Sequence, residues 1–114
     1  SLFKSNKKVR QAKLNARRAQ EEYSLAQEQI ENGVQANYVN FLTSFTDLRT
    51  QEKSVELADQ NYNVISNRYK NDLALLTDML DASNMKLSAD LGLVNARINL
   101  IYSYYKMKYI THTL

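Results

Sequence analysis

Asp78 and Asp81 stand one helical turn apart in the stretch Thr77-Asp78-Met79-Leu80-Asp81. Two carboxylates at that spacing are what general acid–base work or a hard-cation site would use. No histidine or cysteine stands near them. His112 is the single histidine and lies near the C-terminus, where such a residue is ordinarily solvent-exposed rather than a ligand. The chain has no cysteine, which removes disulfides, thiolate nucleophiles and cysteine metal sites together. No combination of nucleophile, base and electrostatic stabiliser can be assembled, so neither an enzyme nor a metal or cofactor site is expected. A plainer role for the acids also stands, since carboxylates in the first turns of a helix are stabilised by its macrodipole.

The other chemistry the residue types suggest is electrostatic. Lys4, Lys7, Lys8, Arg10, Lys13, Arg17 and Arg18 all precede the first acid, Glu21, although the net charge is only +3. A basic run can mark a nucleic-acid or anionic-lipid surface. Here the bases are scattered around the helix, and Phe3 is the sole aromatic available to stack on a base. A solvated helix face accounts for them, and no nucleic-acid partner is expected.

The elements that carry these residues follow from what is missing. There are two glycines, Gly33 and Gly92, and no proline, so little in the sequence demands the turns of sheets and loops. Small or apolar residues fall at alternating steps of three and four through Val9, Ala12, Ala16, Ala19, Tyr23, Ala26 and Ile30, a heptad seam. A step of four then shifts the frame to Val34, Phe41, Leu48, Val55, Tyr62 and Tyr69, a stutter that relaxes left-handed supercoiling, with Gly33 at the slip. The pattern breaks at Asn71 and Asp72, residue types that tolerate the left-handed conformation ending a helix.

The prediction is therefore all-α: a long antiparallel helical hairpin with helices over about 5–70 and 75–111 and a tight turn near 71–74. At 1.5 Å per residue the helices measure on the order of 100 Å and 55 Å, so the second would cover only the last half of the first. The whole chain, 1–114, reads as one hairpin segment. Its longest apolar runs, such as Leu73 to Leu76, fall far short of the roughly 20 residues a membrane-spanning helix needs. No signal peptide opens it, so an exported protein would be represented by a mature or trimmed chain.

The second helix has more than one apolar stripe. Leu80, Leu87, Val94 and Ile101 join Leu91, Ile98 and Tyr105 in one. Leu93, Leu100 and Met107 lie with Ala82, Ala89, Ala96 and Ser103 in another, about 150° around on heptad geometry. Polar strips separate them: Asp78, Asp81, Ser88, Gly92, Asn95 and Asn99 on one side, Ser83, Asp90 and Arg97 on the other. A helix apolar on nearly opposite sides needs two neighbours, one of them from outside the hairpin, which suits a ring of helices around water or self-association of the chain. A generic coiled-coil scaffold hairpin, the other reading, would require a single seam and leave the stripe of Leu93, Leu100 and Met107 unexplained.

The segment from Asn67-Arg68-Tyr69-Lys70-Asn71-Asp72 through Leu73-Ala74-Leu75-Leu76 to Thr77-Asp78-Met79-Leu80-Asp81-Ala82 resembles the periplasmic tip of TolC-like outer-membrane efflux proteins. In that family a descending helix ends in an Arg-Tyr pair, turns at a glycine, and restarts through leucine, Asp, hydrophobic, Leu, Asp, Ala. Glu56-Leu57-Ala58-Asp59-Gln60-Asn61-Tyr62 and Val94-Asn95-Ala96-Arg97, followed by Tyr102, Tyr104 and Tyr105, are also similar to it. Two positions depart: Asp72 stands where glycine is usual, and Leu75 where a Ser or Thr cap is common. The resemblance implies a fragment, about a quarter of a protomer, of a homotrimeric channel in the outer membrane for drug efflux or type I secretion. This segment would lie in the periplasm, with membrane association through a β-barrel part it lacks. It also implies a periplasmic adaptor (membrane fusion protein) and an inner-membrane transporter as partners. Asp78 and Asp81 would line the tunnel entrance, and Arg68, Tyr69, Asn71 and Asp72 would form the gating tip that meets the adaptor.

Overall fold

The computed structural model describes residues 2–113 and is all-α, with α1 running Leu2–Lys70 and α2 Leu76–Thr113. No strand occurs among the described residues. The helix ends agree with the breaks in the periodicity to within three residues; α1 begins at Leu2 rather than near Ser5, since nothing in Leu2-Phe3-Lys4 opposes helix.

Two units make up the chain, Ser1–Ala36 and Asn37–Leu114. In the first, α1 is a lone helix whose described residues are exposed through Asn32, the alanines of the upper seam included. Ala12, Ala16 and Ala19 are strong helix formers, which lets this stretch stay helical with its apolar seam bare.

In the second unit, the lower part of α1 and α2 form the antiparallel hairpin. Phe41, Leu48, Val55 and Tyr62 of α1 are half-buried, and between them Ser44 and Ala58 are buried. From α2 the packed face is Met79, Ala82, Lys86, Ala89, Leu93, Ala96, Leu100, Ser103 and Met107, a strict heptad pattern in which one core position alternates toward long side chains and the other toward alanine or serine. Small residues allow the helices to approach closely. Ala82, 1% exposed, and Ala96 are the most buried residues of α2. The second predicted stripe is therefore the one that faces α1.

Polar contacts set the register. Ser44 Oγ lies 3.0 Å from Ser103 Oγ while also donating to the Asn40 carbonyl at 2.8 Å. Gly92 faces Gln51 so closely that a Cβ at 92 would fall 2.5 Å from Gln51 Oε1. Lys86 Nζ stands 3.6 Å from Asp59 Oδ1 and 4.9 Å from the centre of the Tyr62 ring. Ascending α1 from 44 to 51 to 59 thus matches descending α2 from 103 to 92 to 86. An aromatic cluster sits where Phe41 meets Phe45 edge-on at 5.1 Å and Tyr104 at 6.0 Å. Continued past Ile65, the register meets the turn instead of α2. Tyr69, expected as the last member of the core seam, is consequently 41% exposed.

Candidate functional site

The tip of the hairpin holds every residue singled out for function, and its geometry is built by the backbone. Asp72 has φ 58°, the left-handed region. Its N–H donates to the Tyr69 carbonyl at 3.1 Å, and the Leu73 N–H donates to the Arg68 carbonyl at 2.7 Å. This pair of bonds, spanning three and five residues around one left-handed residue, is the Schellman arrangement that satisfies the last carbonyls of a helix. Asp72 fills the position glycine usually takes, at a cost lower than for most side chains because aspartate tolerates this conformation. Asn71 adds a further tie, its Nδ2 donating to the Asn67 carbonyl at 2.8 Å. Arg68 and Lys70 occupy the last turn of α1, where cations complement the negative end of the macrodipole.

The start of α2 is closed from within. Leu75 has no side-chain acceptor to offer as a cap, and Asp78 compensates: its Oδ2 accepts the Leu75 N–H at 3.0 Å. That is the returning half of a capping box, supplied by the third residue of the helix. The Asp78 carboxylate thus has one oxygen committed to holding the turn. Asp81, one turn on, is exposed and free of ion pairs, as are Arg68, Asp72 and Asp78. The two acids share α2 without a base or a third acid to complete a site, and no group of three metal-ligating side chains occurs among the described residues.

The tip is also apolar. Leu73 is 76% exposed, and Leu75, Leu76 and Leu80 are more than half exposed. In the Schellman motif the residue at the Leu73 position usually rests on an apolar residue of the last turn; here that turn offers Arg68, and Leu73 is left bare. The tip therefore presents exposed leucines close in sequence to Arg68, Lys70, Asp72, Asp78 and Asp81, all exposed as well. Along the hairpin, the groove between α1 and α2 beside Ser54, Leu57, Asn61, Met85 and Ser88 is lined by no titratable side chain.

The Lys86, Asp59 and Tyr62 cluster is a feature that tip-centred reading of the sequence passes over. Asp59 Oδ1 is buried without a hydrogen bond and has the Lys86 ammonium at 3.6 Å, while both side chains stay more than 40% exposed, so water shares in balancing the charge. The signal was the heptad spacing of Lys86 with Met79, Leu93, Leu100 and Met107, which puts a charge inside an apolar column. Gly92, assigned to a polar strip by periodicity, instead lies half-buried against Gln51.

The opposite side of α2 has no cover. Leu80, Leu87, Leu91, Val94, Ile98, Ile101 and Tyr105 are each between 48% and 62% exposed. No helix among the described residues is long and apolar enough to cross a membrane. Comparison with family models, with curated proteins and with solved structures finds no match for the chain.

Proposed function

We propose that this chain is a segment of the periplasmic α-helical tunnel of a TolC-like outer-membrane channel for drug efflux or type I secretion, with the hairpin tip forming the entrance that meets a periplasmic adaptor. One observation carries the reading: α2 is apolar on opposite sides, one face closed by α1 through a column rich in alanine and serine, the other about half exposed from Leu80 to Tyr105, roughly seven turns. A helix so built is the member of a curved wall, with a neighbour on each flank and water on the remaining two faces. The residues of the tip agree with this use. Asp78 and Asp81 would repeat around the threefold axis of a homotrimer, and a ring of carboxylates in a narrow aqueous mouth favours cations. The exposed leucines and Arg68 at the same end would supply the adaptor with apolar and charged contacts. Transport in this reading needs no chemistry from the chain, and the inner-membrane transporter would supply the energy.

The test is made on the full-length gene product reconstituted in planar bilayers. A cation-selective conductance that loses selectivity in Asp78→Asn/Asp81→Asn supports the tunnel. Absence of any conductance, with the protein recovered from the soluble fraction of cells, refutes it in favour of a scaffold hairpin that mediates protein association.

A further inference from the structure

The bare face of α2 is complementary to itself when a second copy is laid against it in the opposite direction. With a two-fold axis at the level midway between Gly92 and Leu93, heptad geometry sets Leu91 against Val94 of the second copy, Leu87 against Ile98, and Leu80 against Tyr105. The one polar position in the column, Asn84, meets Ile101 one layer inside the terminal Leu80–Tyr105 pair. All the apolar members of these pairs are about half exposed in the single chain.

The flanks match as well, which an accidental greasy stripe would not require. On one side of the column Asp90 falls beside Arg97 of the second copy, and the symmetry repeats the pair, giving two ion pairs close to the axis. In the single chain both residues are exposed and neither forms an ion pair. On the other side Ser88 falls beside Asn95, and Asp81 beside Tyr102, whose hydroxyl is a donor for a carboxylate. Charge along the helix has the same sense: Asp78, Asp81 and Asp90 lie in the first half of α2, Arg97, Lys106 and Lys108 in the second. A parallel partner would set like charge against like, and only the reversed one sets acid against base.

We infer that the free 114-residue chain pairs with a second copy of itself, antiparallel, through the Leu80–Tyr105 face of α2, with Asp90 and Arg97 as reciprocal ion pairs. This goes beyond the tunnel reading and does not rest on it: in a complete tunnel a neighbouring helix would take this face, and in the free chain a twin does.

Sedimentation equilibrium of the chain across micromolar concentrations, with far-UV circular dichroism to verify the fold of each variant, tests the inference. The expected result is a reversible dimer. Arg97→Glu should weaken it by about tenfold, since it turns two attractive pairs into repulsive ones, and Asp90→Arg combined with Arg97→Glu should restore it. Because the chain is free of cysteine, orientation is read separately: a mixture of Leu80→Cys and Tyr105→Cys chains should cross-link to each other. A monomer at all concentrations, a double reversal no better than the single one, or Leu80→Cys chains cross-linking among themselves would each overturn it.

Discussion

Asp72 gives the sharpest test of how the hairpin turns, because its backbone and its charge both act against it. At φ 58° it occupies a region in which an L-residue costs about 1–2 kcal/mol, somewhat less for aspartate. It also sits just past the C-terminal end of α1, where a negative charge opposes the macrodipole by about 0.3–1 kcal/mol. Asp72→Gly removes both penalties, while the extra freedom glycine brings to the unfolded chain takes back about 0.4–1 kcal/mol. The net expectation is a gain of about 0.5–1 kcal/mol. Asp72→Asn removes only the charge and should gain a few tenths, a gain that shrinks as salt screens the dipole. Asp72→Val keeps the backbone in a conformation that a β-branched side chain resists and should lose about 1–3 kcal/mol. Urea unfolding followed by circular dichroism, at fixed chain concentration, orders the four proteins as Gly, Asn, Asp, Val from most to least stable. If Asp72→Val were as stable as the parent, or Asp72→Gly less stable, the turn would not depend on a left-handed residue at 72 and the Schellman account of the tip would fail.

Gly92→Ala should be close to neutral by thermal denaturation: alanine gains about 1 kcal/mol of helix propensity, and the atom it meets is the mobile end of Gln51; a loss above about 2 kcal/mol would mean that Gln51 is held rigidly. Ala82→Leu, at a site 1% exposed, should cost about 1–3 kcal/mol by overpacking, read as a lowered urea midpoint, and an unchanged midpoint would show that the helices are free to separate there. Asp78→Ala deletes the acceptor for the Leu75 N–H and should cost about 1 kcal/mol. Asp78→Asn keeps an acceptor and should lose less than half of that, so equal losses from the two would exclude a capping role.

Much of this architecture is legible in the residues. Helix breakers are nearly absent, the frame ends at Asn71-Asp72, and α2 carries two columns at sevenfold spacing, which together specify two helices, their turn and the need for a second neighbour. Which column faces α1 is not legible, because both are apolar and periodicity carries no sign of contact. The choice falls to the column rich in alanine and serine because α1 offers Phe41, Leu48, Val55 and Tyr62, whose bulk requires small residues opposite. The cap also escapes a reading by residue type: Leu75 cannot cap with its side chain, and only the bond from Asp78 shows how that deficit is met. Lys86 is harder still, since a lysine within an apolar column is intelligible only once Asp59 is seen across from it.

The distribution of large and small side chains carries a further consequence. Among the described residues the buried ones are Ala58, Ala82, Ala96 and Ser44, and no large side chain is fully buried. The contact between α1 and α2 is close, half-buries its long side chains, and carries polar pairs at two levels, Ser44 with Ser103 and Asp59 with Lys86. Such a contact favours one register, because sliding by one turn would part Ser44 from Ser103 and Lys86 from Asp59, each pair contributing modestly. Its hydrophobic contribution, which scales with the apolar area removed from water, comes from half-buried side chains such as Phe41, Leu48, Leu93 and Leu100. Further leucines, isoleucines and a valine lie on the other face of α2, about half exposed. Closing that second face with another copy would add to the stability of the hairpin, so the unfolding midpoint of this chain should rise with its concentration.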